Sequence, residues 1–285
     1  MSDQTTGQNP LKGYFRQPKI FVKLPSGGKF YSQGSLDVSE TGEYAVYSMS
    51  AKDELLLKTP DALLNGQATV SLIKSCVPAI LEPWNMPSID LDAALTAIRI
   101  ATYGENLDID TACPSCGEEN SYAFNLVQFL NQVSSFEFRD KIEFDDLTIY
   151  IRPYTYKEMS GVRYKAMEQQ NILTVINDDS ISDEEKMIKV GEGLLKITDM
   201  TIDVISGCIT SVNTPDQTVT DQHMIREFIE NAPKEIYKKV SDHVTEMKND
   251  IQLRPQKVTC AHCEHEFNVD MMLDYSNFFN VRSHQ

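Results

Sequence analysis

The spacing of apolar residues changes period several times along this chain. Alternation at every second residue, the mark of a half-buried strand, occupies residues 19–24, 43–49 and 121–126, and 142–151 around Asp145-Asp146. The turn Pro25-Ser26-Gly27-Gly28 is expected to fold residues 29–31 back onto 19–24 as a hairpin. Helical spacing takes over in 68–77 and again in 89–103, where Ala93, Leu95, Ile98 and Ala101 precede a terminating Gly104. Start signals agree with these spans. Ser50 with Asp53 caps a helix through 54–57, and Thr59-Pro60-Asp61 sets proline at a first helical position. Thr155 with Glu158 opens a helix expected to reach residue 176. Ser182 with Glu185 opens a long apolar-rich segment to about residue 212, with Met187, Val190, Leu194, Ile197, Val204 and Cys208 along one stripe. Two more helices are expected near 221–230 and 233–249.

Composition places these elements in a folded protein. Of 285 residues, 41% are hydrophobic and 24% charged, the balance of a globular chain rather than a disordered one. The 26 Lys and Arg against 42 Asp and Glu give a net charge of −16. Such a surface opposes a general grip on nucleic acid, whose phosphates need basic partners, and suits solubility or docking on a basic protein surface. No run of about 18 apolar residues exists, so no membrane-spanning helix is expected. Residues 1–12 are polar, read as a flexible arm, and carry no apolar core of a secretory signal.

Cysteine spacing changes the picture most. Cys113-Pro114-Ser115-Cys116 and Cys260-Ala261-His262-Cys263 are matching C-x-x-C turns, each at the tip of an expected hairpin. Two such pairs are the ligand set of a structural tetrahedral zinc, which takes soft sulfur and asks only for four ligands. The gap is long, with 143 residues between Cys116 and Cys260. If Cys113, Cys116, Cys260 and Cys263 share one metal, the chain between them is an insertion hung from a metal-bound base. Disulfides fit less well, because each pair would close only a tiny loop. A thioredoxin-like redox site fits less well too, since neither pair opens a helix after a strand. His262 and His265 are alternative ligands, though four cysteines already fill the shell. Cys76 and Cys208 sit among apolar residues and read as small buried hydrophobes.

The expected fold is therefore α+β: a mixed base with a zinc-ribbon-like pair of knuckle hairpins and a mostly helical inserted lobe. Residues 13–133 with 254–285 make the base and 134–253 the lobe. No catalytic motif accompanies them. There is no nucleophile elbow, no Gly-rich phosphate loop and no metalloprotease His pair, and Gly27-Gly28-Lys29 is too short for a phosphate-binding loop. A shell of four cysteines leaves no open metal position, which disfavours a metal hydrolase. A non-enzymatic scaffold is expected, with a zinc-ribbon regulator of transcription or replication as the alternative.

Three runs stand together: Leu24-Pro25-Ser26-Gly27-Gly28, the stretch from Tyr47 to Glu54, and Thr59-Pro60-Asp61-Ala62-Leu63-Leu64-Asn65-Gly66. The two cysteine knuckles and the ending Tyr275-Ser276-Asn277-Phe278-Phe279 complete the set. Together these resemble the T4-type bacteriophage baseplate protein family, whose members include a baseplate hub subunit and an assembly factor. The resemblance covers the base, 19–126 and 257–279, and not the lobe. It implies a structural role in a contractile tail, assembled in the host cytoplasm and carried in the virion. It implies partners among other tail and baseplate proteins, in multiple copies in a symmetric assembly; the acidic charge and the lack of a long apolar run argue against nucleic-acid and membrane partners. It implies no catalytic residue. The polar arm and the Phe278-Phe279 tail are candidates to order on a neighbour.

Overall fold

The computed structural model describes residues 10–58, 66–160, 170, 172, 174–177, 180–251 and 255–269. The Thr59-Pro60 helix start, most of the helix expected to reach residue 176, residues 1–9 of the arm and the Phe278-Phe279 tail lie outside the described residues.

The base begins with a 3-10 turn at Pro10–Tyr14 and strand β1, Pro18–Lys23. Its partner is not residues 29–31 but β2, Glu43–Tyr47, which runs antiparallel to it. The physical reason lies far along the chain. Asp90, wholly buried, accepts the Ser26 N–H at 2.7 Å and the Ser26 hydroxyl at 2.6 Å. That pins the loop inward, and Phe30 takes φ +68° instead of an extended conformation. Burial pushes the Asp90 carboxyl up to about 6 against these hydrogen bonds.

Helix α1, Ala51–Leu57, starts at a full capping box: Ser50 accepts the Asp53 N–H and Asp53 accepts the Ser50 N–H. Arg16 locks this corner, donating to the Ser48 carbonyl at 2.6 Å, to Asp53 at 3.2 Å and to the Ser75 carbonyl at 2.7 Å. Helices α2, Gln67–Cys76, and α3, Ser88–Tyr103, are buried over most of their length, as their apolar spacing predicts. With β1 and β2 they enclose the first buried cluster, including Val22, Val46, Ile73, Leu95 and Ile98. After Gly104, at φ +95°, come β3, Asn106–Ala112, and β4, Glu119–Asn125, antiparallel through their whole length. Helix α4, Leu126–Ser134, follows directly, capped by Asn125.

The lobe is mostly helical but contains a four-stranded antiparallel sheet. Its strands are β5, Lys141–Phe144; β6, Leu147–Ile151; β7, Ile209–Asn213; and β8, Thr218–Val219. Helix α5, Asp183–Gly207, is capped by Ser182, whose side chain accepts the Glu185 N–H. It stops five residues short of the expected end, because Ile209–Asn213 joins β6 as a strand. Its expected stripe is also split. Val190 and Ile197 are half-buried, whereas Met187 and Leu194 are exposed. Helices α6, Gln222–Asn231, and α7, Lys234–Asp250, complete the second buried cluster with Ile149, Ile205, Ile229 and Val240.

The two clusters meet at short, specific contacts. The Ser88 N–H donates to the Tyr154 carbonyl and the Tyr156 N–H to the Met86 carbonyl, and Tyr156 stacks on Trp84 with ring centres 5.3 Å apart. Thr155 and Glu158 make the expected reciprocal cap there. A small third cluster joins Ile89 and Ala93 of α3, Phe129 and Val133 of α4, and Ile251 after α7. It brings the end of the lobe beside the elements that carry the first cysteine pair. The last hairpin, β9, Gln256–Thr259, and β10, Glu266–Val269, starts from that point.

Candidate metal centre

Cys113 and Cys116 occupy the turn between β3 and β4, and Cys260 and Cys263 the turn between β9 and β10. Each turn has the same backbone. The Cys113 carbonyl accepts the Gly117 N–H at 2.9 Å, and the Cys113 N–H donates to the Glu118 carbonyl at 2.9 Å. The Cys260 carbonyl accepts the Glu264 N–H at 3.0 Å, and the Cys260 N–H donates to the His265 carbonyl at 2.9 Å. Closing such a turn takes a left-handed residue, Gly117 at φ +75° in one and Glu264 at φ +57° in the other. The sequence places the two cysteines of each pair three apart, so both sulfurs point from one side of the turn.

The 143 intervening residues bring the two turns face to face. Cys113 Sγ lies 3.7 Å from Cys263 Sγ and Cys116 Sγ 3.7 Å from Cys260 Sγ, and all four sulfurs lie within 4.8 Å of one another. A disulfide needs about 2.05 Å, so these are four separate thiols around one point. The first cysteine of each pair is buried and the second exposed. Among the described residues no other group of His, Cys, Asp and Glu side chains is arranged to hold a metal ion. The cluster can hold one ion in a four-sulfur shell, and four protein ligands would leave it no open position.

Electrostatics separate the thiols. The N–H groups of Cys263 and His262 aim at the Cys260 sulfur and, with Asn120 and Cys116, bring that thiol down to about 6. The Glu118 N–H favours the Cys116 thiolate, but desolvation and the three neighbouring thiols push it up to about 12. Without a cation the site ionises the Cys260 sulfur readily and resists ionising Cys116. A bound cation removes that conflict.

Sequence spacing finds the four cysteines but not what surrounds them. Asn120 donates to the Cys260 sulfur at 3.5 Å and to the Glu118 carbonyl at 2.9 Å, while its own oxygen accepts the Ala261 N–H at 3.0 Å. Tyr122 donates to the Thr259 carbonyl at 3.0 Å and meets Phe267 edge-on. Aligning the two knuckles on their cysteines would have exposed Asn120, because the corresponding position in the second is Phe267. His262 and His265 are exposed and lie outside the sulfur group. His262 contributes its N–H to Cys260, and the His265 ring stacks on Phe267. Cys76 and Cys208 are fully buried, as expected, and apart from it; Cys208 sits in the second apolar cluster, whereas the Cys76 sulfur also accepts from Arg16 at 3.6 Å. No helix among the described residues is long and apolar enough to cross a membrane.

A family model described as T4 bacteriophage base plate protein matches residues 17–280. The match therefore spans the helical lobe as well as the base motifs that carry the resemblance. No curated protein and no solved structure matches the chain.

Proposed function

The chain belongs to the T4 bacteriophage base plate protein family, and from that premise we propose that it is a hub or hub-proximal part of a contractile-tail baseplate that works through protein contacts during assembly. The observation that carries this reading is a family match running through nearly the whole chain, from residue 17 to 280. Its partners are other tail proteins. It is assembled in the host cytoplasm, present in several symmetric copies, and catalyses nothing.

The second part of the proposal is a structural zinc on Cys113, Cys116, Cys260 and Cys263. A tetrahedron with Zn–S bonds of about 2.3 Å has sulfur–sulfur edges of about 3.8 Å. The paired sulfurs stand 3.7 Å apart. Zinc there would supply a closed cross-link between the two hairpins and no site for substrate or water. The chain's own contribution is the pair of turns that present the sulfurs, with Asn120 orienting one of them.

The deciding experiment is a particle experiment. Baseplates are assembled with the full chain, with residues 1–12 deleted, and with the chain ended after Asp274, and complete tails are counted. Incorporation of the full chain beside hub proteins, with lower yields for the truncations, is expected. Absence of the chain from assembled baseplates and their precursors would remove the hub reading. Metal analysis of protein purified under reducing conditions should find one zinc per chain. Tight nucleic-acid binding without any association with tail proteins would favour the zinc-ribbon regulator instead.

A further inference from the structure

Charge is divided unevenly along this chain, and so is its exposed apolar surface. Residues 10–36 hold five Lys and Arg and no Asp or Glu, which leaves 21 Lys and Arg against 42 Asp and Glu elsewhere. On β1 the side chains of Lys19, Phe21 and Lys23 alternate outward, and Phe21 is 63% exposed. Just before the strand, Tyr14 is 87% and Phe15 56% exposed. Arg16 pairs with Asp53 and Lys23 with Glu43 of β2, so Lys12, Lys19 and Lys29 give this stretch its basic surface, and it carries three uncovered rings within eight residues.

Helix α5 carries the opposite combination. Its residues 183–207 hold six Asp and Glu against three Lys; Asp199 and Asp203 pair with Arg226 and Glu185 with Lys189, while Asp183, Glu184 and Glu192 are exposed. Met187 and Ile188, and again Leu194 and Leu195 seven residues on, are 77%, 57%, 54% and 73% exposed. That spacing sets all four on one strip of the helix. Gly191, between the pairs, has open space where a side chain would begin. Neither surface covers the other within the chain, for β1 packs on the first buried cluster and α5 on the second.

We propose that the two surfaces dock on each other between copies, the basic aromatic face around β1 receiving the acidic apolar strip of α5 from a second copy of this chain. Charge complementarity selects this occupant. Pairing either surface with itself would set like charge against like, whereas the head-to-tail pairing joins opposite charges around apolar centres. A contact of this kind is heterologous, so it repeats from copy to copy and ends in a closed ring or an open filament. The inference rests on the multi-copy reading above and gives that reading a geometry.

The test uses the purified full chain in sedimentation velocity between about 1 and 200 µM, the range of modest interfaces. The chain should associate with rising concentration, and raising NaCl from about 50 to 500 mM should weaken association at least about fivefold by screening. One variant combines Lys19→Glu with Phe21→Ser, and the other Leu194→Ser with Leu195→Ser. Each alone should stay monomeric, and an equimolar mixture should form dimers that grow no further, because only one intact surface remains on each. All these positions are exposed, and thermal melts check that the variants fold. Lys23→Glu and Glu184→Lys serve as replacements for a variant that does not. A wild-type chain that stays monomeric throughout, a variant that still associates like wild type, or a mixture that stays monomeric overturns the inference. None of these results touches the hub reading, which stands or falls on incorporation into particles.

Discussion

β3–β4 and β9–β10 end in the same turn, with the first cysteine's carbonyl bonded four residues on and its N–H five residues on. Below the turn they differ. β3 and β4 are seven residues long, lead out of α3 and into α4, and set Leu107 against the base cluster. β9 and β10 are only four residues long; each hairpin is a two-stranded sheet of its own, but none of the buried clusters among the described residues includes a residue of β9 or β10. An isolated two-stranded hairpin is marginal in water. The shorter one leans on Tyr122, Asn120 and the facing sulfurs. A knuckle is therefore local chemistry, but its persistence depends on what its strands are rooted in. The first hairpin is an extension of the core, while the second is held in place by the first.

The largest break in this comparison should come from Cys260→Ser or from stripping the metal. We expect amide exchange in residues 256–269 to accelerate at least about 100-fold, roughly 3 kcal/mol of local stability. Residues 106–125 should change little, even in Cys113→Ser, which should again loosen the second hairpin rather than its own. Since each sulfur binds metal as a thiolate, retention should also fall as pH falls. Hydrogen exchange by mass spectrometry reads both hairpins at once. Equal loosening of the two would show that the metal, and not the core, holds the first as well.

The same contrast governs what the sequence discloses. Local signals survive folding: the caps at Ser50, Thr155 and Ser182, the α3 helix with its Gly104 stop, and the two cysteine turns are all where their residues put them. Non-local capture does not show. The partner of β1 depends on Asp90, sixty-four residues from Ser26, holding the loop that would otherwise turn back. Along α5 two apolar strips coexist, one through Val190 and Ile197 and one through Met187 and Leu194. Periodicity finds both without saying which faces inward. The apolar residues of Ile209–Asn213 fit a helix or a buried strand equally, and only pairing with β6 decides. At the metal centre the ligands are legible and their support is not, because Asn120 matters through a hairpin 140 residues away.

Asn120→Ala sharpens the comparison at the seam. It removes the bond to the Cys260 sulfur and the one from Ala261 while leaving all four ligands. Metal affinity should fall about 10–100-fold, the usual cost of losing a residue that orients a ligand. Competition against a chromophoric chelator measures this. Unchanged affinity would mean that the sulfurs alone set the spacing of the turns.

A smaller effect is expected from Gly117→Ala. Nothing lies within 4 Å of the position a Cβ would take, but φ is +75°. The cost is then backbone strain of about 1–2 kcal/mol, less the roughly 0.5–1 kcal/mol that alanine's smaller freedom in the unfolded chain returns, a net of about 0.5–1 kcal/mol. Because β3–β4 is rooted in the core, thermal melts of the whole protein should register it only weakly.

Glu264→Gly should have the smallest effect and the opposite sign. Glu264 holds φ +57° in a turn where its counterpart is glycine, and its side chain is exposed. Relieving a Cβ in the left-handed region returns about 1–2 kcal/mol. Glycine's greater freedom in the unfolded chain takes back about 0.5–1 kcal/mol. The balance is a gain of about 0.5 kcal/mol, small for the protein but large for a pair of hairpins in which this one is the weaker. It should be visible as slower exchange in residues 256–269 of metal-free protein and nearly invisible once metal is bound, because the metal then dominates the local stability. If the substitution speeds exchange instead, the second hairpin is limited by the disorder of its unfolded chain rather than by strain in its turn. The contrast between the two knuckles would then lie wholly in their roots.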